Sequence, residues 1–251
     1  MFSILFVLIS RTPLFFLKAI SFFIYIFART LKVSHLNITK KNIDHCFGDN
    51  KELVNKSFRE TMELSLIFPF IWGKKDNYKK LIDPDYLLNK SLENNRPKIF
   101  FTLHMGCVDI LIFVLSELLA QVNFLYTPVK NKKLERKLLD IRQRQGGKMF
   151  PATPNGVKNL YKSFIDKENI VIASDLVPHK QGVYEKFFNK ECFCIDLVEK
   201  LSNKGTHDLH FIYLTKGKKN KYKLVCKKIK NKITTSEMNA LFEEAILTAP
   251  E

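Results

Sequence analysis

A single stretch near the middle of the chain, residues 99–119, most constrains the fold. An apolar run over residues 99–103 leads into His104 and Gly106, and a second apolar segment follows from residue 108 to 119 without Pro or Gly. Short apolar runs are typical of buried strands, and glycine marks tight turns. The stretch therefore predicts a buried strand, a turn at Gly106 and a helix.

Two residues of this stretch, His104 and Asp109, admit two interpretations. His104 falls at the strand end and Asp109 in the first helical turn, so a reversal at Gly106 would let their side chains meet. An imidazole oriented by a carboxylate can remove a proton from a hydroxyl group. The alternative is a structural histidine beside an acid that complements the positive end of the helix dipole. The spacing alone favours the structural alternative.

The rest of the chain alternates strand patterns with helix patterns. Further strands are predicted at residues 122–126, 148–151, 170–173, 208–215 and 222–228. This alternation predicts an α/β fold with a central mixed, partly parallel sheet flanked by helices. Ligands of such sheets bind at the carboxyl ends of strands, where His104, Thr127 and Asp175 fall. Three polar strand ends at one edge strengthen the functional interpretation of His104.

The first 28 residues are the most apolar part of the chain, with Arg11 and Lys18 the only charges. No cleavage-site pattern follows, so we expect a retained N-terminal hydrophobic membrane-anchor helix, either spanning the membrane or lying in its interface. Arg29 and Lys32 would mark its aqueous end. The predicted division is an anchor at residues 1–30 and a body at residues 31–251. The alternative is a buried helix of the fold.

Charge indicates the kind of partner. Lys and Arg number 41 against 25 Asp and Glu, a formal net charge of +16, so an anionic partner is expected. The basic segment 130–148 has one apolar side and predicts an amphipathic helix, either simply solvated or a surface for phosphates or an acidic carrier protein. Nine lysines between residues 216 and 232 fit a protected edge hairpin. Residues 182–190 are predicted to form a loop with an exposed aromatic pair.

The motifs for several other functions are absent from the sequence. Five cysteines without CxxC spacing predict neither a zinc site nor a disulfide framework and favour a reducing compartment. There is no nucleotide-binding glycine pattern, no GxSxG and no HExxH. Net charge alone suggests nucleic-acid binding, but the chain has no nucleic-acid recognition motif, and its apolar N-terminus argues against that class.

The segment His104-Met-Gly-Cys-Val-Asp109 resembles the His-x4-Asp/Glu motif of glycerolipid-type acyltransferases. More narrowly, the chain resembles the bacterial lipid A biosynthesis (lauroyl/myristoyl) acyltransferases. The matches run in family order along nearly the whole chain: the N-terminal anchor, Asn42-Ile-Asp-His-Cys-Phe47, Tyr126-x-Pro128 with Asn131, Arg142-x-x-x-Gly146-Gly147, Asp175, Gly182-Val-Tyr184 with Phe187-Phe188, and Ala249-Pro-Glu251.

The resemblance implies a glycerolipid acyltransferase-like fold, with residues 31–251 as the acyltransferase domain. It implies transfer of a fatty acyl chain from acyl carrier protein, or acyl-CoA, to a hydroxyl group of a lipid acceptor. His104 would be the general base, oriented by Asp109, and Cys107 would only pack. Because Thr127 stands where the family usually has Arg, Lys130 or Arg142 would stabilise the oxyanion. The substrate-binding residues would be Gly106, Thr127, Lys130, Asn131, Arg142, Asp175, Gly182 and Phe187.

The resemblance implies further properties and leaves one functional alternative open. We expect no metal, no cofactor and no nucleic-acid partner, a monomer, and a location on the cytoplasmic face of the bacterial inner membrane. The alternative is a catalytically inactive, membrane-anchored homologue that binds lipid or carrier protein. Thr127 motivates this alternative, as does the absence of the family's aromatic and basic tail after Glu251.

Overall fold

The structure, a computed structural model, describes residues 2–31, 33–88, 92, 94–178, 181–217, 220–230 and 232–250. The chain forms two compact units, Met1–Asn77 with Ala245–Glu251, and Tyr78–Glu244. The boundary expected near residue 30 lies inside the first unit. Lys32 and Glu251, which the sequence analysis singled out, lie outside the described residues.

The first unit is helical. Its helices are α1 (Phe2–Arg11), α2 (Leu14–Thr30), α3 (Ser34–Phe47) and α4 (Lys51–Gly73). Pro13 separates α1 from α2, and the Asn50 side chain caps α4 by accepting a hydrogen bond from the Leu53 amide at 3.0 Å. The helix α3 covers a polar, basic stretch in which the sequence pattern indicated no helix.

No single helix of the described chain has both the length and the apolar composition to cross a membrane. The helices α2 and α3 reach that length and composition only when taken together, and they meet at an angle of 85°. A membrane-anchor helix at the N-terminus therefore stays a prediction.

The second unit is built on a sheet. In chain order its elements are β1 (Lys98–Thr102), α5 (Val108–Leu118), β2 (Val122–Tyr126), α6 (Lys132–Gln143), β3 (Lys148–Pro151), α7 (Pro154–Ile165), β4 (Asn169–Ala173), β5 (Val183–Phe187), β6 (Lys190–Cys194), α8 (Leu197–Ser202), β7 (Asp208–Lys216), β8 (Tyr222–Lys228) and α9 (Thr235–Thr248), whose last residues belong to the first unit. The predicted strands and the strand–turn–helix at residues 99–119 are confirmed.

Six strands form one sheet in the order β3-β2-β4-β1-β7-β8. The pairs β2–β3, β2–β4, β1–β4 and β1–β7 are parallel, and only β7–β8 is antiparallel among the pairs of this sheet in the described chain. The predicted mixed, partly parallel sheet flanked by helices is confirmed. Every residue of β1 is buried, and Phe101 stacks on Phe211 with ring centroids 5.1 Å apart.

The parallel pairing of β1, β4 and β2 brings their carboxyl ends to one edge of the sheet. Ala173 of β4 pairs with Thr102 of β1, so the residues that follow these two strands start side by side. His104 and Asp175 are among those residues. The sequence analysis expected this convergence, and the register explains it.

The prediction of a loop at residues 182–190 is wrong. This segment forms β5 and the turn of a two-stranded antiparallel hairpin with β6. The turn residues Phe188 and Asn189 both have positive φ, 47° and 61°, as the tightest hairpin turns require. The usual sequence of such a turn is Asn-Gly, whereas here it is Phe188-Asn189. Because Phe rarely adopts a positive φ, the sequence did not indicate a turn at this place.

Candidate active site

A cavity of about 480 Å³ opens at the carboxyl edge of the sheet. Most of its wall is apolar and comes from α5, β2, β3 and β4, including Leu111, Ile112, Phe124, Met149 and Val171. A few polar side chains interrupt this wall: Thr102, His104, Tyr126, Thr127 and Arg142. An apolar cavity with few polar groups is the usual form of a small-molecule site.

His104 is held by Asp175 at two points. Its Nδ1 lies 2.8 Å from Asp175 Oδ1, and its backbone N–H donates to Asp175 Oδ2, also at 2.8 Å. The two contacts fix both the backbone and the imidazole ring. Because Asp175 accepts a hydrogen bond from Nδ1–H, Nε2 is the ring nitrogen that can accept a proton from a substrate.

The hydrogen bond to the Asp175 carboxylate raises the pKa of His104 above its usual 6.5, although partial burial lowers it. Two nearby charges act in opposite directions: Arg142 lowers the pKa and Asp109 raises it. The pKa of His104 thus depends on three charged groups of the site, Asp175, Arg142 and Asp109. A raised pKa makes His104 a stronger proton acceptor in its neutral form.

Asp109 does not take the position that the sequence spacing suggested. It is 3 % exposed in the first turn of α5, and its carboxylate accepts from Arg142 Nε at 2.6 Å and from Arg142 Nη2 at 3.4 Å. The expectation that Asp109 orients His104 is therefore corrected: Asp175 contacts the imidazole, and Asp109 holds the guanidinium. Asp109 of α5 contacts Arg142 of α6, whereas Asp175 follows β4, the strand that pairs with β1.

The turn between β1 and α5 has a steric reason for its glycine. Gly106 has φ +65°, and a Cβ at this position would lie 2.9 Å from the carbonyl oxygen of Leu214 and 3.3 Å from the Tyr222 ring. Cys107 follows, fully buried, and burial raises the pKa of its thiol to about 12. A thiol with that pKa is a poor nucleophile at neutral pH, which agrees with a packing role.

The other candidate residues fall into two groups: Thr127 lines the cavity, as His104 and Arg142 do, whereas Lys130, Asn131, Gly182 and Phe187 do not. Asn131 has a structural contact, because its side chain caps α6 by accepting from the amides of Lys133 and Leu134. Lys130 is exposed next to it, and Phe187 lies in β5, where its ring contacts Phe188. At Gly182 a Cβ would lie 2.3 Å from the Cys194 carbonyl oxygen, so close packing requires glycine there.

Comparison with known proteins identifies the family of the chain. A family model described as bacterial lipid A biosynthesis acyltransferase matches residues 1–251, the whole chain. The chain belongs to this family. No curated protein is significantly similar to it. Family membership implies an acyltransferase with an acyl donor and a lipid acceptor, and the family is usually associated with the bacterial membrane.

Two features of this site could not be obtained from the sequence. The cavity draws its walls from four separate elements, so no local pattern announces it. The His104–Asp175 contact joins residues 71 positions apart. The available signal was the set of polar strand ends, which identified Asp175 as a candidate without showing its partner.

The pairing at His104 predicts a difference between two isosteric variants. Asp175→Asn should lower the pKa of His104, because it removes both the hydrogen-bonded carboxylate and its charge. Asp109→Asn should change this pKa less, because Asp109 acts on the imidazole only through its charge. The pKa is measured by NMR titration of histidine side chains, with the His104 signal assigned from His104→Gln. A larger shift in Asp109→Asn would contradict the observed pairing.

Proposed function

We propose that this chain transfers a fatty acyl group from a carrier thioester to a hydroxyl group of a lipid acceptor, with His104 as the general base. The observation that carries the proposal is the placement of the Asp175-held imidazole and the Asp109-held guanidinium on the wall of one apolar cavity. The family supports acyl transfer in general, and the geometry supports these residue roles.

The proton movement follows from the tautomer that Asp175 stabilises. The acceptor hydroxyl donates its proton to His104 Nε2 while its oxygen attacks the thioester carbonyl carbon, so a C–O bond forms and an oxyanion develops. Asp175 then faces an imidazolium and stabilises the positive charge. When the C–S bond breaks, His104 returns the proton to the leaving thiolate, and the base is restored.

Arg142 is the proposed donor to the oxyanion. Its guanidinium lines the cavity and is held in place by Asp109, so the cation needs no rearrangement when charge develops. Lys130, the other candidate from the sequence, is exposed, and its flexible side chain would have to be ordered first. Arg142 is therefore the better-supported of the two donors.

The apolar wall suits the hydrocarbon part of a substrate. Burying methylene groups there is favourable by about 0.8 kcal/mol each. Leu111, Ile112 and Phe124 supply the wall on the side of α5 and β2. We propose that the acyl chain occupies this space, with its thioester carbon near His104 and Arg142.

The helix α6 connects the site to a basic surface. It supplies Arg142 and Leu138 to the cavity, while Lys132, Lys133 and Lys137 are exposed. Tyr126 fixes the helix to β2 by donating to Glu135 at 3.0 Å. We propose that this surface attracts acyl carrier protein, or the phosphates of acyl-CoA, through long-range electrostatics.

Membrane association completes the proposal. We propose that the apolar residues 1–28 tether the protein to the cytoplasmic face of the bacterial inner membrane, where the lipid acceptor lies, and that residues 31–251 form the acyltransferase body. The exposed apolar side chains of α2 support this tether. We further propose that the protein acts as a monomer without a metal or cofactor.

A second candidate function is supported by Thr127. This residue lines the cavity at the place where the family usually has Arg, so the site has one cation fewer than the family pattern provides. A homologue that binds lipid or carrier protein without turnover would keep the apolar cavity. Acyl binding without detectable transfer would favour this function over catalysis.

The two ion pairs predict a specific pattern of activity in single and double variants. His104→Ala should lower kcat by roughly 10²- to 10⁴-fold, the usual effect of removing a positioned base. Asp175→Asn should also lower kcat, and the double variant should lose little more than His104→Ala alone. Single-turnover and steady-state acyl transfer by protein verified as folded by thermal melt provide the measurement.

Asp109→Asn provides the matched control for these variants. Because Asp109 holds Arg142, its loss should couple to Arg142→Gln and combine with His104→Ala closer to multiplicatively. Coupling of Asp109 to His104 with none between Asp175 and His104 would contradict the assigned pairs. Normal turnover by folded His104→Ala would contradict the mechanism as a whole.

The basic surface of α6 predicts a salt-dependent binding defect. Replacing Lys132, Lys133 and Lys137 by Gln should raise KM for the acyl donor and flatten its salt dependence, because exposed charges are screened within about 10 Å at 0.1 M salt. The matched control replaces the exposed Lys223, Lys230 and Lys232 by Gln, which changes net charge equally. Equal effects of both sets would show that only net charge matters.

A further inference from the structure

One face of α2 is committed to contact with α4. Leu17, Ser21, Tyr25 and Ala28 are its buried residues, and they recur at the spacing of one helical stripe. The Tyr25 ring packs on Phe58 of α4 with centroids 5.9 Å apart. Lys18 Nζ lies 3.0 Å from Glu63 Oε1, so α4 also provides the partner of the one cation in the middle of α2.

A second face of α2 is apolar and exposed. Phe16 is 51 % exposed, Ile20 46 %, Phe23 68 % and Phe27 65 %. These residues stand at i, i+4, i+7 and i+11 and form one stripe, which we call the aromatic stripe. Soluble surfaces rarely carry a contiguous apolar face of this kind, so the aromatic stripe requires a partner.

The α4 side of the same helix pair has the opposite character. Its exposed positions between residues 51 and 65 are all polar: Lys51, Glu52, Lys56, Arg59, Thr61 and Ser65. The guanidinium carbon of Arg59 lies 5.4 Å from the ring centroid of Phe22, next to the middle of α2. The α2–α4 pair thus has one apolar side and one polar, charged side.

This asymmetry argues against a spanning α2. The helix has 17 residues, about 26 Å at 1.5 Å per residue, whereas a hydrocarbon core is about 30 Å thick. A spanning orientation would also carry Arg59 and Glu63 to hydrocarbon depth beside it. Charged side chains at the bilayer centre are costly, so this orientation is unfavourable.

We propose that α2 lies in the plane of one membrane leaflet, with the aromatic stripe in the lipid and α4 on the water side. Arg11 and Arg29, exposed at its N- and C-terminal sides, would meet anionic headgroups. A second copy of the chain on the same face would bring these like charges together, which disfavours a dimer. The inference rests on the proposed membrane tether, and it adds the orientation and the lipid-facing residues.

Tryptophan depth measurement tests this orientation on the full chain. Trp72, the only tryptophan, is first replaced by Phe, which keeps an aromatic ring against Phe68. Phe16→Trp, Phe23→Trp and, as the matched control on α4, Thr61→Trp are then made singly in this background. Each variant is bound to phosphatidylethanolamine–phosphatidylglycerol vesicles that contain phosphatidylcholine brominated at one of two acyl depths, and fluorescence quenching is measured.

The in-plane orientation predicts equal quenching depth for positions 16 and 23 and no quenching at position 61. Position 23 lies near the middle of α2 and position 16 lies about 10 Å from it along the helix axis, so a spanning helix would place position 23 near the bilayer centre and position 16 nearer the membrane surface. Unequal depths would therefore overturn the inference. Vesicle-bound protein with neither position quenched would also overturn it and would indicate a protein partner on the aromatic stripe.

The depth measurement is independent of catalysis. The same depths are expected in His104→Ala, because that residue belongs to the other compact unit. Equal depths without any acyl transfer would leave this inference standing and defeat the proposed function. Acyl transfer with unequal depths would do the reverse, and a failure to bind vesicles would defeat both the tether and its orientation.

Discussion

The pair of hydrogen bonds between Asp175 and His104 is the interaction on which the rest of the site depends. One carboxylate accepts from the backbone amide and meets the imidazole Nδ1, both at 2.8 Å, so it fixes the ring, its tautomer and its pKa together. These two contacts are possible only because β4 runs parallel to β1 and ends beside it. The sheet register is thus the structural cause of the chemistry proposed for His104.

A second ion pair, between Asp109 and Arg142, positions a cation independently of the base. Asp109 sits in the first turn of α5, where the helix dipole favours a carboxylate, and its two oxygens hold Arg142 of α6. The two residues of the His-x4-Asp motif therefore have separate functions: His104 is the proposed base, and Asp109 holds Arg142. The imidazole and the guanidinium then share the same apolar cavity, which supports acyl transfer rather than a purely structural role for His104.

Much of this arrangement could be predicted from sequence because it depends on local pattern. Runs such as residues 122–126 and 222–228 gave strands with the bounds observed, and His104 and Asp175 were candidates because they follow buried strands. The partner of His104 could not be predicted, since strand order decides it and Asp109 is nearer in sequence. The β5–β6 hairpin was missed because its turn is Phe-Asn, and α3 because its stretch is largely polar.

The central claim is that this site transfers an acyl chain, and the most direct measurement is transfer itself. Purified full-length protein in mixed micelles or membranes would receive acyl carrier protein bearing a radiolabelled fatty acyl thioester, together with a total bacterial lipid extract. The account predicts label in the lipid fraction as an oxygen ester, with release of one free carrier thiol per acyl group transferred. Folded protein that binds the acyl carrier but leaves all label on it, or releases only free fatty acid, would contradict the account.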